Sequence, residues 1–130
     1  MTAFSPFAIA LRLSGVTLDQ AALETALGAK VSRFEPEDAP QSHYAQIDID
    51  SDNPTRAIIH LAANIGPRVK TLVEERQIGQ AVLDIALDFP EDGEAMSTRL
   101  PAHMAAAIAN CDIDLEISVY LVDEADDDED

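Results

Sequence analysis

The chain has few basic residues and a single cysteine. Only 8 of its 130 residues are Lys or Arg, against 25 Asp or Glu, so the formal net charge is −17. Because Lys and Arg supply most of the affinity for phosphate backbones and anionic lipids, we expect neither nucleic-acid nor membrane binding. The lone Cys111 excludes an intrachain disulfide and fits a reducing compartment. The first residues lack a basic leader, and Arg12 interrupts an apolar run too short to cross a bilayer, so we expect a cytoplasmic protein.

The usual catalytic and metal-binding signatures are also missing. No glycine-rich phosphate loop follows a predicted strand, and no serine lies in a nucleophile elbow. His43, His60 and His103 are far apart in sequence. None of them forms a short-spaced pair with another histidine or with Cys111, which is the spacing typical of zinc sites. We therefore expect no cofactor and no metal site, and the sequence leans against an enzyme.

Alternating apolar and polar residues predict four strands with one buried and one wet face. A less regular stretch, from Ala29 to Phe34, predicts a short edge strand. The expected core-facing positions are Phe7, Ile9, Leu11 and Leu13, then Ala45, Ile47 and Ile49, then Ala81, Leu83, Ile85, Leu87 and Phe89, and last Ile113, Leu115, Ile117, Val119 and Leu121.

Three stretches with helical periodicity separate these strands. The first has Thr17 and Gln20 at the spacing of a capping box, an apolar stripe of Leu18, Ala22, Ala26 and Leu27, and an end at Gly28. The second begins at the cap Asn53 with Pro54 in its first turn, and its apolar stripe continues through Gly66 and Pro67, which predicts one kinked helix. The third begins at Pro101 and ends near Asn110, with Met104, Ala105, Ile108 and Cys111 inward.

The order of elements predicts an α+β fold. Because each strand has a single apolar face, all three helices should cover that face of a sheet of four to five strands, giving a two-layer sandwich. The first six elements match a ferredoxin-like unit, which a C-terminal helix and strand extend. Residues 1–122 form one predicted domain, with a polar loop over Pro90–Ser97. The last eight residues, Asp123–Asp130, hold seven acids and are predicted to be a disordered tail; without them the net charge is still −10.

The sequence also resembles a known family. The segments "GVTLDQAALETALG", "NPTRAIIHLAANIGPRVKTLVEE" and "LPAHMAAAIANCDIDLEISVY" look like those of the small bacterial four-two-seven-nine domain-of-unknown-function family, over roughly residues 5 to 122. The resemblance implies a small α+β architecture. It implies no activity, because the family has none established.

The wet face of the predicted sheet holds six carboxylates and, on these strands, the single base Arg12. Solvent and salt could screen this charge, or a basic protein could bind it. Hard cations are a third reading, although strand spacing provides no organised cage for them. We expect a non-catalytic interaction module that binds a basic partner, with tyrosines as anchors. The candidate partner-binding residues are Tyr44, Asp48, Asp50, Asp84, Asp88, Asp114, Glu116 and Tyr120.

Other functions stay open at this point. One alternative is a small-ligand binder or enzyme with a pocket between the helices and the sheet, near the Gly66–Pro67 kink, with His60 as its polar group. Another is a structural accessory domain. A homodimer through the centre of the acidic face would place acids against acids, so the sequence favours a monomer or a homodimer formed through an edge strand.

Overall fold

The alternating stretches form one mixed sheet, connected by helices. A computed structural model describes residue 4 and residues 6–89 and 97–121 of the chain. Most of the predicted Pro90–Ser97 loop and the whole predicted tail Asp123–Asp130 lie outside these residues. The described elements are β1 (Ala8–Val16), α1 (Gln20–Leu27), β2 (Arg33–Pro36), β3 (His43–Ile49), α2 (Pro54–Asn64), α3 (Gly66–Glu74), β4 (Gln80–Phe89), α4 (Ala102–Ala109) and β5 (Asp114–Leu121).

The sheet has the strand order β2-β3-β1-β4-β5. Its first four strands pair antiparallel, and β5 pairs parallel to β4. The elements from β1 to β4 follow the β-α-β-β-α-β order of a ferredoxin-like unit, which α4 and β5 extend. The prediction of an α+β fold with this extension is confirmed.

One core joins alternate residues of the strands to apolar residues of all four helices. Leu11, Leu13, Leu83 and Ile85 of the central strands are fully buried. The helices contribute Leu23 and Leu27 of α1, Ile58 of α2, Val69 of α3, and Met104 and Ile108 of α4. Burial on this side of the sheet follows from the two-residue period, because every second side chain of a strand points to the same face.

Helix α1 begins two residues later than predicted. Its cap is Asp19, whose Oδ1 accepts a hydrogen bond from the Ala22 N–H at 2.8 Å, so the predicted cap at Thr17 is wrong. The reason is that the Thr17 N–H still bonds the Gln77 carbonyl, which keeps Thr17 in the connection leaving β1. Within the helix, Leu23 is buried and Ala22 is exposed, which differs from the predicted stripe. The helix ends as predicted at Gly28, whose φ of 72° is left-handed.

The central helical stretch is divided into α2 and α3, so the described residues form four helices where three were predicted. The cap at Asn53 is confirmed, since its Oδ1 accepts from the Arg56 N–H at 3.2 Å. Only Ile65 separates the two helices, and it keeps right-handed helical angles. A Cβ on Gly66 would overlap the Sγ of Cys111, so the absence of a side chain lets the α2–α3 junction approach the end of α4.

Two stretches differ from the predicted sheet. The edge strand β2 spans Arg33–Pro36 instead of Ala29–Phe34, because the Ser32 N–H is the first to bond the Gln46 carbonyl of β3. Phe7 is 56% exposed instead of facing the core. It precedes β1, and its ring packs edge-on against Tyr120 with 5.5 Å between ring centroids.

The helix side of β5 is covered only at its beginning. Ile113 is buried, but Ile117, Val119 and Leu121 are exposed, so their predicted place in the core is wrong. Helix length explains the difference. Eight residues of α4 extend about 12 Å, whereas eight residues of β5 extend about 26 Å, so the helix cannot cover the whole strand.

The side chain of Glu37, in the loop after β2, stabilises a bend in β1. The register of β1 against β3 shifts between Leu13 and Val16, and Gly15 there has a left-handed φ of 62°. Glu37 Oε1 accepts from the Gly15 N–H at 2.9 Å and from the Ser42 hydroxyl at 2.7 Å. These two bonds stabilise the charged form and lower the pKa of Glu37.

Candidate functional site

The candidate site is the side of the sheet opposite the core, which we call the open face. Strand register arranges its side chains in rows across the sheet. One row consists of Gln46, Arg12, Val82 and Asp114. The next row consists of Asp48, Ala10, Asp84 and Glu116. Each row therefore has a carboxylate on β5, at the edge of the sheet.

Asp84 is the one buried charged residue of the described chain, with 5% of its surface exposed. Its Oδ2 lies 2.8 Å from Nη2 of Arg12, and its Oδ1 accepts from the Ser118 hydroxyl at 2.7 Å. The prediction that Asp84 is a solvent-facing carboxylate is therefore wrong. Side chains from both neighbouring strands cover it, and strand order could not be inferred from alternation alone.

The other predicted acids of the open face are exposed. The Asp48 carboxylate accepts from the Gln46 side chain at 2.7 Å, and Asp114 accepts from Gln80 at 3.5 Å. Neither contact supplies a positive charge. No ion pair among residues 6–89 and 97–121 involves any of the exposed acids of this face, namely Asp48, Asp50, Asp88, Asp114 and Glu116.

Both arginines of the strands are already paired. Arg12 is committed to Asp84, and Arg33 of β2 binds Glu35 on the same strand with its Nη2 2.6 Å from Oε2. Hydrogen bonding to Glu35 raises the pKa of Arg33, which keeps the guanidinium charged. Neither arginine therefore forms an ion pair with the exposed carboxylates of the open face, although Arg33 interacts with Asp48 at longer range.

The two tyrosines lie near opposite edges of the sheet rather than together. Tyr44 is half-buried, donates to the Gln46 side chain at 2.6 Å, and has the Arg33 guanidinium 5.5 Å from its ring centroid. Burial raises the pKa of Tyr44. Tyr120, on β5, is 49% exposed and contacts Phe7. Tyr120 is thus the more accessible of the two predicted anchors.

A groove of about 730 Å³ crosses the open face. The alanines of β1 and β4 line it, and the Phe7–Tyr120 pair lies at one end, with Asp48 and Asp50 also in its lining. Alternation assigned Phe7 to the core, so the sequence reading missed this aromatic pair. The usable signal was the position of Phe7, beside Pro6 and before the first regular strand residue.

An open depression of about 680 Å³ lies beside His60, and neither Gly66 nor Pro67 of the predicted kink is among its lining residues. Arg56, His60 and Asn64 line it, one helical turn apart along α2, and Asp50 and Ser51 line it from the end of β3. The Asn64 side-chain nitrogen donates to the His60 carbonyl at 2.8 Å and lies 3.3 Å from His60 Nδ1. Arg56 was not predicted as part of this site.

The remaining candidates for chemistry do not converge. Among the residues that the structure describes, no three His, Cys, Asp or Glu side chains are placed to hold a metal ion. His43 stacks on Phe34 at 4.7 Å, and Cys111 is buried in the core. Within the same residues, no helix is long and apolar enough to span a membrane.

Comparison with known proteins assigns neither a family nor a function. No family model, no curated protein and no solved structure matches the chain. The geometry and charge of the open face are therefore the basis for the functional inference that follows.

Proposed function

We propose that this protein is a non-catalytic interaction module that binds a basic protein through its open face. The proposal rests on the exposed carboxylates Asp48, Asp50, Asp88, Asp114 and Glu116, which form no ion pair with any other described residue, while Arg12 and Arg33 are paired with other acids. Membership of the four-two-seven-nine family stays a prediction, and so does a cytoplasmic location.

Electrostatics favour a basic protein as the partner. A net charge of −17 attracts positive surfaces at long range and raises the rate of encounter. At short range, Lys and Arg of the partner would form charge-assisted hydrogen bonds with the exposed carboxylates. Tyr120 and Phe7 add apolar area beside these acids, which suits an interface with an aromatic centre and a polar rim.

The test compares three forms of the full chain immobilised in a cell lysate. The first is the parent, the second is Asp114→Asn/Glu116→Gln, and the third is Glu74→Gln/Glu75→Gln at the exposed C-terminal end of α3 and the residue after it. The two double variants lose the same charge at different places. Asp84 is left unchanged because its ion pair with Arg12 is part of the fold.

A basic protein retained by the parent and by the α3 variant, but lost by the β5 variant, supports the proposal. Its affinity for the parent should decrease as the salt concentration is raised from about 0.05 M to about 0.3 M, because salt screens exposed charges. Equal retention by all three forms, or no retention of any basic protein, would overturn it. Equal loss by both variants would show that net charge alone is responsible, which also contradicts the proposal.

A second candidate is a small-ligand site in the depression near His60. The observation in its favour is the row of Arg56, His60 and Asn64, which presents guanidinium, imidazole and amide groups to one cavity. A thermal-shift screen of small carboxylates and phosphates, repeated on Arg56→Ala, tests it. Stabilisation of the parent that disappears in Arg56→Ala supports this second function, and no stabilisation by any of them removes it.

A further inference from the structure

Strand β5 forms one edge of the sheet, and no described strand pairs with its outer side. Such an edge presents unpaired N–H and C=O groups to solvent. Its two faces differ in chemistry. On the core side, Ile117, Val119 and Leu121 are 43%, 52% and 79% exposed, and on the open face Asp114 and Glu116 are exposed.

This arrangement is unusual for a protected sheet edge. Natural edges are commonly shortened, twisted or given inward-pointing charges, which prevents pairing with other chains. The carboxylates of β5 repel acidic strands, but its exposed apolar residues are not interrupted by any charge on their own side. The edge therefore repels acidic strands and leaves an exposed apolar row that the apolar face of another strand could cover.

Strand periodicity defines the complementary segment. In an added strand, successive side chains point to opposite faces of the sheet. Side chains that meet Asp114 and Glu116 would be basic, and those on the other side would extend the apolar row of Ile117, Val119 and Leu121. A segment in which basic and apolar residues alternate places basic side chains beside Asp114 and Glu116 at the beginning of β5 and apolar side chains beside Ile117, Val119 and Leu121 towards its end.

We infer that the outer edge of β5 binds an extended segment of the basic partner, with alternating basic and apolar residues, as an added strand. This inference rests on the proposed function and specifies the shape of the contact at the same site. Main-chain hydrogen bonds would supply affinity, and the two side-chain rows would supply selectivity. Pairing would also cover the apolar row.

A second copy of the chain suits this edge less well. It would bring another net charge of −17 and its own Asp114 and Glu116 to the same edge. Long-range repulsion between two such chains opposes their approach, whereas a basic segment is attracted.

The test uses synthetic peptides of about eight residues, the length of β5, with capped ends and a fluorescent label. One peptide alternates Lys and Val, and a second has the same composition with all Lys before all Val. Two further alternating peptides are N-methylated at the Lys or at the Val residues, which blocks the hydrogen bonds of one strand edge while keeping charge and side chains. Fluorescence anisotropy with the full chain measures each affinity.

We expect the alternating peptide to bind roughly tenfold or more tightly than the block peptide, because only the former places apolar and basic groups on opposite faces. One methylated peptide should lose roughly tenfold or more in affinity, and the other should stay close to the parent peptide, because a strand adds through one edge only. Val119→Thr should weaken binding, whereas the matched change Val73→Thr on α3, away from the sheet edge, should not. Circular dichroism checks that both variants are folded.

Several outcomes would overturn the inference, and they separate it from the proposed function. If all four peptides bind alike and Asp114→Asn/Glu116→Gln abolishes that binding, the open face binds basic ligands without strand addition. If no peptide binds, strand addition is excluded, and the lysate experiment decides the proposed function by itself. If the parent sediments as a dimer that Val119→Thr dissociates, a second copy occupies the edge instead.

Discussion

Arg12 on β1 reaches diagonally across the open face to Asp84 on β4. In the strand register, Arg12 lies opposite Val82, and Asp84 lies opposite Ala10. The Arg12 Nη2 atom is nevertheless 2.8 Å from Oδ2 of Asp84. The side chain of Arg12 is 43% exposed and that of Asp84 only 5%. Arg12 can therefore be solvated without its partner, whereas Asp84 needs the ion pair to compensate its buried charge.

Removing Arg12 should therefore cost more stability than removing Asp84. Arg12→Met leaves a buried carboxylate with the Ser118 hydroxyl as its remaining partner, and we expect a loss of about 2–4 kcal/mol in the free energy of unfolding. Asp84→Ala leaves a guanidinium that can reach water, and we expect a loss of about 1–2 kcal/mol. Urea denaturation measures both, and the reverse order would contradict this account. The double variant Arg12→Met/Asp84→Leu should recover much of the loss because no unpaired charge remains.

Gly66→Ala should destabilise the fold through contact with Cys111. The added methyl group would overlap Sγ, and we expect a loss of about 1–3 kcal/mol, as for other overpacked cores. In the double variant Gly66→Ala/Cys111→Ala the sulfur is absent, so the double variant should lose less than the sum of the two single variants. Additive losses in this double-mutant cycle would show that the two residues do not compete for the same space.

We expect the stabilising contribution of Glu37 to be lost in acid. Its pKa is lowered by hydrogen bonds from Ser42 and Gly15, so its contribution is fully present above the ordinary value of 4.5 and is lost as pH falls through the lower folded value. We expect Glu37→Gln to reduce stability at neutral pH by about 1 kcal/mol. The gap between parent and variant should shrink as pH falls below the ordinary value. A gap that stays constant from neutral to acid pH would contradict the lowered pKa, and Glu75→Gln on the exposed end of α3 serves as the control.

The Cys111 thiol should react slowly in the folded protein. Burial raises its pKa above the ordinary value of 9.0, and Sγ lies 3.4 Å from the carbonyls of Ala62 and Ala107. At mildly alkaline pH, we expect a disulfide reagent to label it on the order of a hundredfold more slowly than in urea-unfolded protein. Equal labelling rates in the two states would show that the junction between α2 and α4 opens freely.

The two-residue period predicted the buried side of the central strands, because Leu11 and Leu83 repeat with the apolar positions of their strands and occupy the middle of the sheet. The period could not predict that Asp84 would be buried. Whether a polar strand residue meets water depends on which strands lie beside it, and that information is in long-range pairing with Arg12 and Ser118.

The exposed end of β5 shows a second limit of the same pattern. Ile117 and Val119 alternate as regularly as the residues of β4, yet they are exposed because α4 is shorter than the strand beneath it. Periodicity reports the face of a strand and contains no information about how far a covering helix extends. Helical spacing places Arg56, His60 and Asn64 on one face of α2, whereas the Phe7–Tyr120 pair joins distant parts of the chain and could not be predicted from spacing.

The central place of β1 has a consequence for synthesis on the ribosome. β1 is translated before the other strands but lies between β3, which ends at Ile49, and β4, which ends at Phe89. At about 5–20 residues per second, the 40 residues between these two ends take about 2–8 s to translate. During that interval, the edge of β1 that will pair with β4 has no partner strand, and the apolar residues of β1 are incompletely covered. The nascent chain is therefore most open to chaperones, or to premature pairing with another chain, before β4 emerges.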